Sequence, residues 1–122
     1  MRLLKVIILL LIAVPAVAET RLMMVEEAGC PWCERWNADV GTIYSRTEEG
    51  KLAPLWRYDI NDPVPDNVTF SSPPQFTPTF ILLVDGIEVN RIEGYPGEGF
   101  FWGLLGMMLT NLPESGEDSS ES

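Results

Sequence analysis

The feature that most constrains this chain is Cys30-Pro31-Trp32-Cys33, a C-x-x-C pair lying between a short apolar run and a helical pattern. The run, Leu22-Met23-Met24-Val25, has the continuous hydrophobicity of a buried strand. Beyond the pair, Trp36, Val40, Ile43 and Tyr44 recur at i, i+4, i+7 and i+8, one face of a helix, with Glu34, Arg35, Asn37 and Asp39 mostly off it. Gly50 is the expected stop of that helix. Two sulfurs at this spacing close a small disulfide ring or open to a dithiol. The chain holds 2 cysteines and no histidine, so most other uses of cysteine lack their remaining ligands or their base. A structural zinc site needs four ligands and is excluded. Cu(I) held by the pair with Met23 and Met24 is a competing use, since soft ligands suit that ion, although both methionines fall in the predicted strand. An inert staple is another; a ring this short removes little loop entropy and stabilises less than a long one.

The remaining elements follow from periodicity and turn chemistry. Leu55 to Ile60 reads as a second strand and Thr79 to Val84 as a third, continuous and apolar. Asp85-Gly86 joins the third strand to the alternating run Ile87 to Ile92, a strong hairpin signal. A last helix is expected from about Gly97 to Asn111, burying Phe101, Leu104, Leu105, Met108 and Leu112. The segment from Asn61 to Thr77 carries Pro63, Pro65, Pro73 and Pro74, which exclude more than about one turn of regular helix. Loops of that length are usually functional or disordered. Phe70 and Phe76 predict that this one is partly packed down.

The N-terminus sets the compartment. Arg2 and Lys5 precede the apolar stretch Val6 to Val14, which Pro15 breaks, and Ala16-Val17-Ala18 has the small-x-small form of a signal peptidase site. The stretch is shorter than the roughly 20 residues a membrane span needs. Residues 1–18 are therefore expected to be a signal peptide cleaved after Ala18, leaving an exported domain over residues 19–112 that is not membrane-embedded. An uncleaved anchor is the alternative. Removal of 18 of the 122 residues leaves 104, and loss of Arg2 and Lys5 takes the formal charge from −10 to −12. So acidic a body is repelled by phosphate backbones, and no nucleic-acid partner is expected. Residues 113–122, with Glu114, Glu117, Asp118 and Glu121 and no large apolar side chain, read as a disordered acidic tail.

Strand, C-x-x-C at a helix start, and Thr77-Pro78-Thr79 ahead of an apolar strand and hairpin together resemble the thioredoxin fold, over roughly Arg21 to Leu112. CPWC is close to the CPYC of glutaredoxins and the CPHC of periplasmic disulfide oxidases. More narrowly, GCPWCERW, TPTFILL and GYPGEGFFWGLL resemble the periplasmic SoxS-type thioredoxin-like proteins of bacterial sulfur-oxidation (Sox) systems. The resemblance implies an α/β architecture: a central mixed four-stranded sheet flanked by helices, with the Pro-rich connection replacing most of the middle helix. It also implies a cis peptide at Pro78, lying against the active-site disulfide. X–Pro bonds are cis in only about 5–6% of cases, so this expectation comes from the family and not from the dipeptide.

Thiol exchange needs a thiolate at neutral pH, against a free cysteine pKa of about 8.5. Cys30 begins the helix, where unpaired N–H groups favour negative charge, and Pro31 fits just inside the start, where its missing N–H would have no partner. Cys30 is thus the expected nucleophile on the more exposed side, and Cys33, one turn on, the resolving thiol. Trp32 is expected as a partly exposed platform for a partner. Thr77, freed by a cis Pro78, would pair with an extended partner by strand addition. Thioredoxin carries a buried Asp six residues before its first cysteine; here that position is Met24. Glu26 or Glu27 is a candidate substitute, and each also reads as an ordinary surface acid. The resulting expectation is a periplasmic thiol–disulfide oxidoreductase with no cofactor beyond its redox-active disulfide. Its implied substrate is a disulfide on a Sox carrier or enzyme, and its implied electron donor a membrane thiol transporter. A general periplasmic disulfide reductase or oxidase, serving cytochrome c maturation or disulfide repair, is the alternative, and a Cu(I)-binding module a further one.

Overall fold

The computed structural model describes residues 3, 5–12 and 18–113. The small-x-small site at 16–18 and the acidic tail therefore lie largely outside the described residues, the former except for Ala18 and the latter except for Pro113. Four strands form one mixed sheet in the order β2-β1-β3-β4. The first strand, β1 (Thr20–Glu26), pairs in parallel with β2 (Leu55–Asp59) and antiparallel with β3 (Thr79–Val84). The edge strand β4 (Ile87–Glu93) returns antiparallel beside β3. This is the mixed four-stranded sheet that the family resemblance implied.

The two central strands are continuous apolar runs because both faces of the sheet are covered. Alternation sends Leu22 and Met24 of β1 and Phe80 and Leu82 of β3 into a core with Trp36, Val40, Tyr44, Phe101 and Leu105. It sends Met23, Val25, Ile81 and Leu83 to the opposite face, with Tyr58, Val68 and Phe70. That second face is covered by the Pro-rich connection, in which no helix forms. Phe70 packs down as expected, whereas Phe76 stays exposed.

The connection is held by polar bonds in place of a helix. Thr69 forms a bridge to the β4 edge, its amide on the Gly86 carbonyl at 2.8 Å and its carbonyl taking the Glu88 amide at 2.9 Å. Arg91 donates to the Ser72 carbonyl at 2.6 Å and through Nε to Glu88 Oε2 at 2.7 Å, while the Ser71 amide donates to Glu88 Oε1 at 3.0 Å. The register between β3 and β4 slips at Leu82/Leu83, leaving Val89 unpaired as a bulge. That extra residue brings Glu88 and Arg91, three apart and otherwise on opposite faces, to the same side. It also overturns the simple alternation of the strand: Ile87 and Val89 are exposed while Glu88 is covered. Burial alone would raise the Glu88 carboxyl, but bonds from Arg91 and the Ser71 amide outweigh it and hold the group below its usual value.

The helix after the thiol pair is not one helix. It comprises α1 (Pro31–Trp36), a π-helical turn over Asn37–Gly41 and a 3-10 turn over Tyr44–Arg46, followed by α2 (Glu48–Leu52). Trp36, Val40 and Tyr44 are buried as the spacing predicts, but Ile43 is exposed, because the wider π turn rotates the following residues. Gly50 is no stop. It sits inside α2, where a Cβ would stand 1.8 Å from the Tyr44 carbonyl oxygen, so the close approach of two backbones demands glycine. The hairpin turn Asp85-Gly86 has φ of 52° and 81°, the two positive values of a type I′ turn. The last helix, α3 (Glu98–Thr110), buries Phe101, Leu105 and Met108; Leu104 faces outward and Leu112 is half-covered.

Two measurements check this account. Gly50→Ala is expected to lower the unfolding free energy by about 3 kcal/mol, at the upper end of overpacking, seen as a lower urea midpoint at unchanged m. Gly103→Ala in α3, with nothing within 4 Å of the new methyl, should be neutral or stabilising by up to about 1 kcal/mol. Because Glu88 is depressed, its contribution is present above the unfolded carboxyl pKa near 4.5 and is lost as pH falls through the lower folded value. The urea midpoint should fall across that acid window, and Glu88→Gln should flatten the fall.

Candidate active site

β1 ends at Glu26, and Glu27-Ala28-Gly29 carry the chain to Cys30, with Gly29 at φ +79° in a conformation that disfavours a side chain. Cys30 caps α1 with extended backbone, and Pro31 takes the first helical position, where a fixed φ suits and no donor is lost. The Cys33 amide donates to Cys30 Sγ at 3.1 Å, so the sulfur occupies the place of an N-cap oxygen. The Glu34 amide meets the Cys30 carbonyl at 3.1 Å. Cys30 and Cys33 are joined as a disulfide with their Cα atoms 5.2 Å apart. They are 5% and 3% exposed, so the oxidised pair offers little of either sulfur and exposure does not rank them.

Around the pair, Pro31 is exposed and Trp32 is 54% exposed, with the Arg35 guanidinium 5.9 Å from the centre of its ring. The Thr77-Pro78 peptide is cis, Pro78 is buried, and its carbonyl accepts the Gly94 amide at 2.8 Å. Thr77 is half-buried, and its hydroxyl donates to Glu27 Oε1 at 3.2 Å. That bond ties the segment before β3 to the segment leading into Cys30.

The floor of the site brings in Arg57, which the sequence did not flag. Met24, fully buried, shares a core with both cysteines. Arg57 of β2, its register partner, passes Nη1 within 3.7 Å of Met24 Sδ and 2.6 Å of Glu26 Oε2, and sets Nη2 2.9 Å from Asn37 Oδ1. Glu26 is thus an ion-pair partner on the strand, while Glu27 lies on the exposed rim. On the other side, the Tyr95 hydroxyl donates to Asp39 Oδ2 at 2.8 Å. Asn37 and Asp39 both belong to the π turn, which is therefore braced from β2 and from the loop before α3. The one cue available beforehand was an Arg set between the aromatic residues Trp56 and Tyr58 of β2. Met23 lies on the far face of the sheet from the cysteines, so a copper site using both methionines does not assemble.

No protein-family model matches this chain, and no curated protein does. Among solved structures, the periplasmic thioredoxin SoxS from Paracoccus pantotrophus in its reduced form matches at a TM-score of 0.74 and 43% sequence identity. The match covers 75% of this chain and 97% of that one.

Tyr95 supplies a test of the bracing. Burial first, then the bond to Asp39, pushes its hydroxyl up to about 12. A raised folded value keeps the proton on the native state, so stability is full below the unfolded value near 10 and is lost as pH climbs from there toward 12. Tyrosinate absorbance should show this late titration. Tyr95→Phe should remove it and lessen the alkaline loss of stability.

Proposed function

The chain belongs to the thioredoxin-like family of the periplasmic thioredoxin SoxS, and from that premise we propose that it is a periplasmic reductant of protein disulfides in sulfur oxidation. That it is a thiol–disulfide oxidoreductase rests on the family and on the Cys30–Cys33 disulfide. The observation that carries the assignment of roles is the Cys33 amide aimed at Cys30 Sγ. In the dithiol the same donor and the start of α1 favour Cys30 as thiolate.

The reaction then runs in two exchanges. The Cys30 thiolate attacks one sulfur of a partner disulfide, forming a mixed disulfide and expelling the partner's other sulfur as thiolate. The Cys33 thiolate next attacks Cys30 Sγ, expels the second partner sulfur and closes the Cys30–Cys33 bond. Two electrons have passed from the pair to the partner, and the protein is left oxidised. Resetting it takes an external dithiol, and a membrane thiol transporter on the periplasmic side is the proposed donor. Trp32 and Pro31 border the exposed side of the pair, and Thr77 with Pro78 presents the partner chain. The export pattern at residues 1–18 and the compartment of the similar protein support a periplasmic site of action. The similarity to SoxS over nearly all of that chain supports a Sox carrier or enzyme as substrate.

Cys30→Ser should reduce peptide disulfides no faster than the uncatalysed background. Cys33→Ser, expressed in the native compartment, should retain its substrate as a mixed disulfide through Cys30. Recovery of one sulfur-carrier protein is the expected result; recovery of many unrelated proteins would favour the general reductase or oxidase instead. The proposed direction requires a reduction potential nearer about −270 mV than about −120 mV.

A further inference from the structure

We infer that Glu27 selects the partner, favouring a disulfide whose cysteine is flanked by a basic residue; this rests on the oxidoreductase reading above. Glu27 is exposed, three residues before Cys30, and its Oε1 accepts the Thr77 hydroxyl at 3.2 Å. Among the described residues it forms no ion pair, whereas Glu26 beside it is taken up by Arg57. The basic residue of α1, Arg35, stands over Trp32. One carboxylate is therefore fixed at Thr77, the residue on which an extended partner chain would pair.

Geometry turns that placement into selection. A residue paired opposite another on a neighbouring strand has its Cβ about 4.5–5.5 Å away, and a long side chain reaches further along the same face. A partner residue facing Thr77 thus lies within reach of the Glu27 carboxylate. Lys or Arg there gains a charge-assisted contact; Asp or Glu meets like charge. The formal charge of −10 on the whole chain acts in the same sense at longer range, steering basic partners toward it. Glu27 is exposed, so the discrimination is modest, on the scale of a surface ion pair, and screened by salt.

The experiment compares two synthetic peptide disulfides identical except for Lys or Glu beside the target cysteine, with dithiothreitol as terminal reductant. The native protein at low salt should favour the Lys peptide by about three-fold in kcat/KM, on the scale of an exposed ion pair. Glu27→Gln keeps an oxygen for the Thr77 hydroxyl while removing the charge, and should erase most of that preference by slowing the Lys peptide. Raising salt should do the same to the native protein without any substitution. Equal rates for the two peptides with native protein, or a preference that survives Glu27→Gln at low salt, would overturn the assignment. Reduction of neither peptide would overturn the oxidoreductase reading along with it.

Discussion

The site depends on burial of the two central strands on both faces. Leu22, Met23, Met24 and Val25 of β1 and Phe80, Ile81, Leu82 and Leu83 of β3 are at most 1% exposed. Each such side chain contributes about 1.5–3 kcal/mol of transfer free energy, opposed by the chain entropy of ordering it. The β1–β3 pairing places Val25 opposite Thr79, so the end of β1 and the start of β3 lie side by side. Four residues beyond β1 the chain reaches Cys30; one residue before β3 stands the cis Pro78. The segment leading to the sulfurs and the cis segment before β3 are thus set by one antiparallel register. A slip of one residue would send Met24, on the floor of the site, to the opposite face.

What lies around that pairing is held by polar contacts as well as by apolar packing. The Pro-rich connection makes one backbone bridge, at Thr69, and Glu88 and Arg91 anchor Ser71 and Ser72 beyond it to the β4 edge. The bulge at Val89 makes this pair possible by restoring both residues to one side of the strand. A comparable economy appears below the disulfide. The π turn exposes Asn37 and Asp39 to different neighbours, and Arg57 and Tyr95 take one each. The π turn that follows α1 is therefore braced from β2 on one side and from the loop before α3 on the other.

Strands, hairpin and last helix were legible because their signals are local. Continuous apolar runs mark β1 and β3, Asp85-Gly86 satisfies a turn needing two positive φ values, and Phe101, Leu105 and Met108 keep helical spacing. The thiol pair was legible for the same reason, since capping by Cys30 and Pro31 needs only neighbouring residues. Two of the errors fell where a single inserted residue changes phase, and a third where two backbones meet. The π turn exposed Ile43, the Val89 bulge exposed Ile87, and Gly50 marked a close backbone approach from Tyr44 instead of a helix end.

Read alone, the chain determined a C-x-x-C pair at a strand-to-helix junction, two doubly buried strands and a type of chemistry for the sulfurs. These follow from spacing, composition and capping, which act over a few residues. Only the tertiary structure decided which distant groups meet there: Thr77 with Glu27, Arg57 with Met24 and Asn37, Tyr95 with Asp39. It also decided that Met24, and not Met23, shares a face with the thiol pair. The physical reason is that such contacts depend on strand register, and register is chosen by burying both faces of the sheet at once.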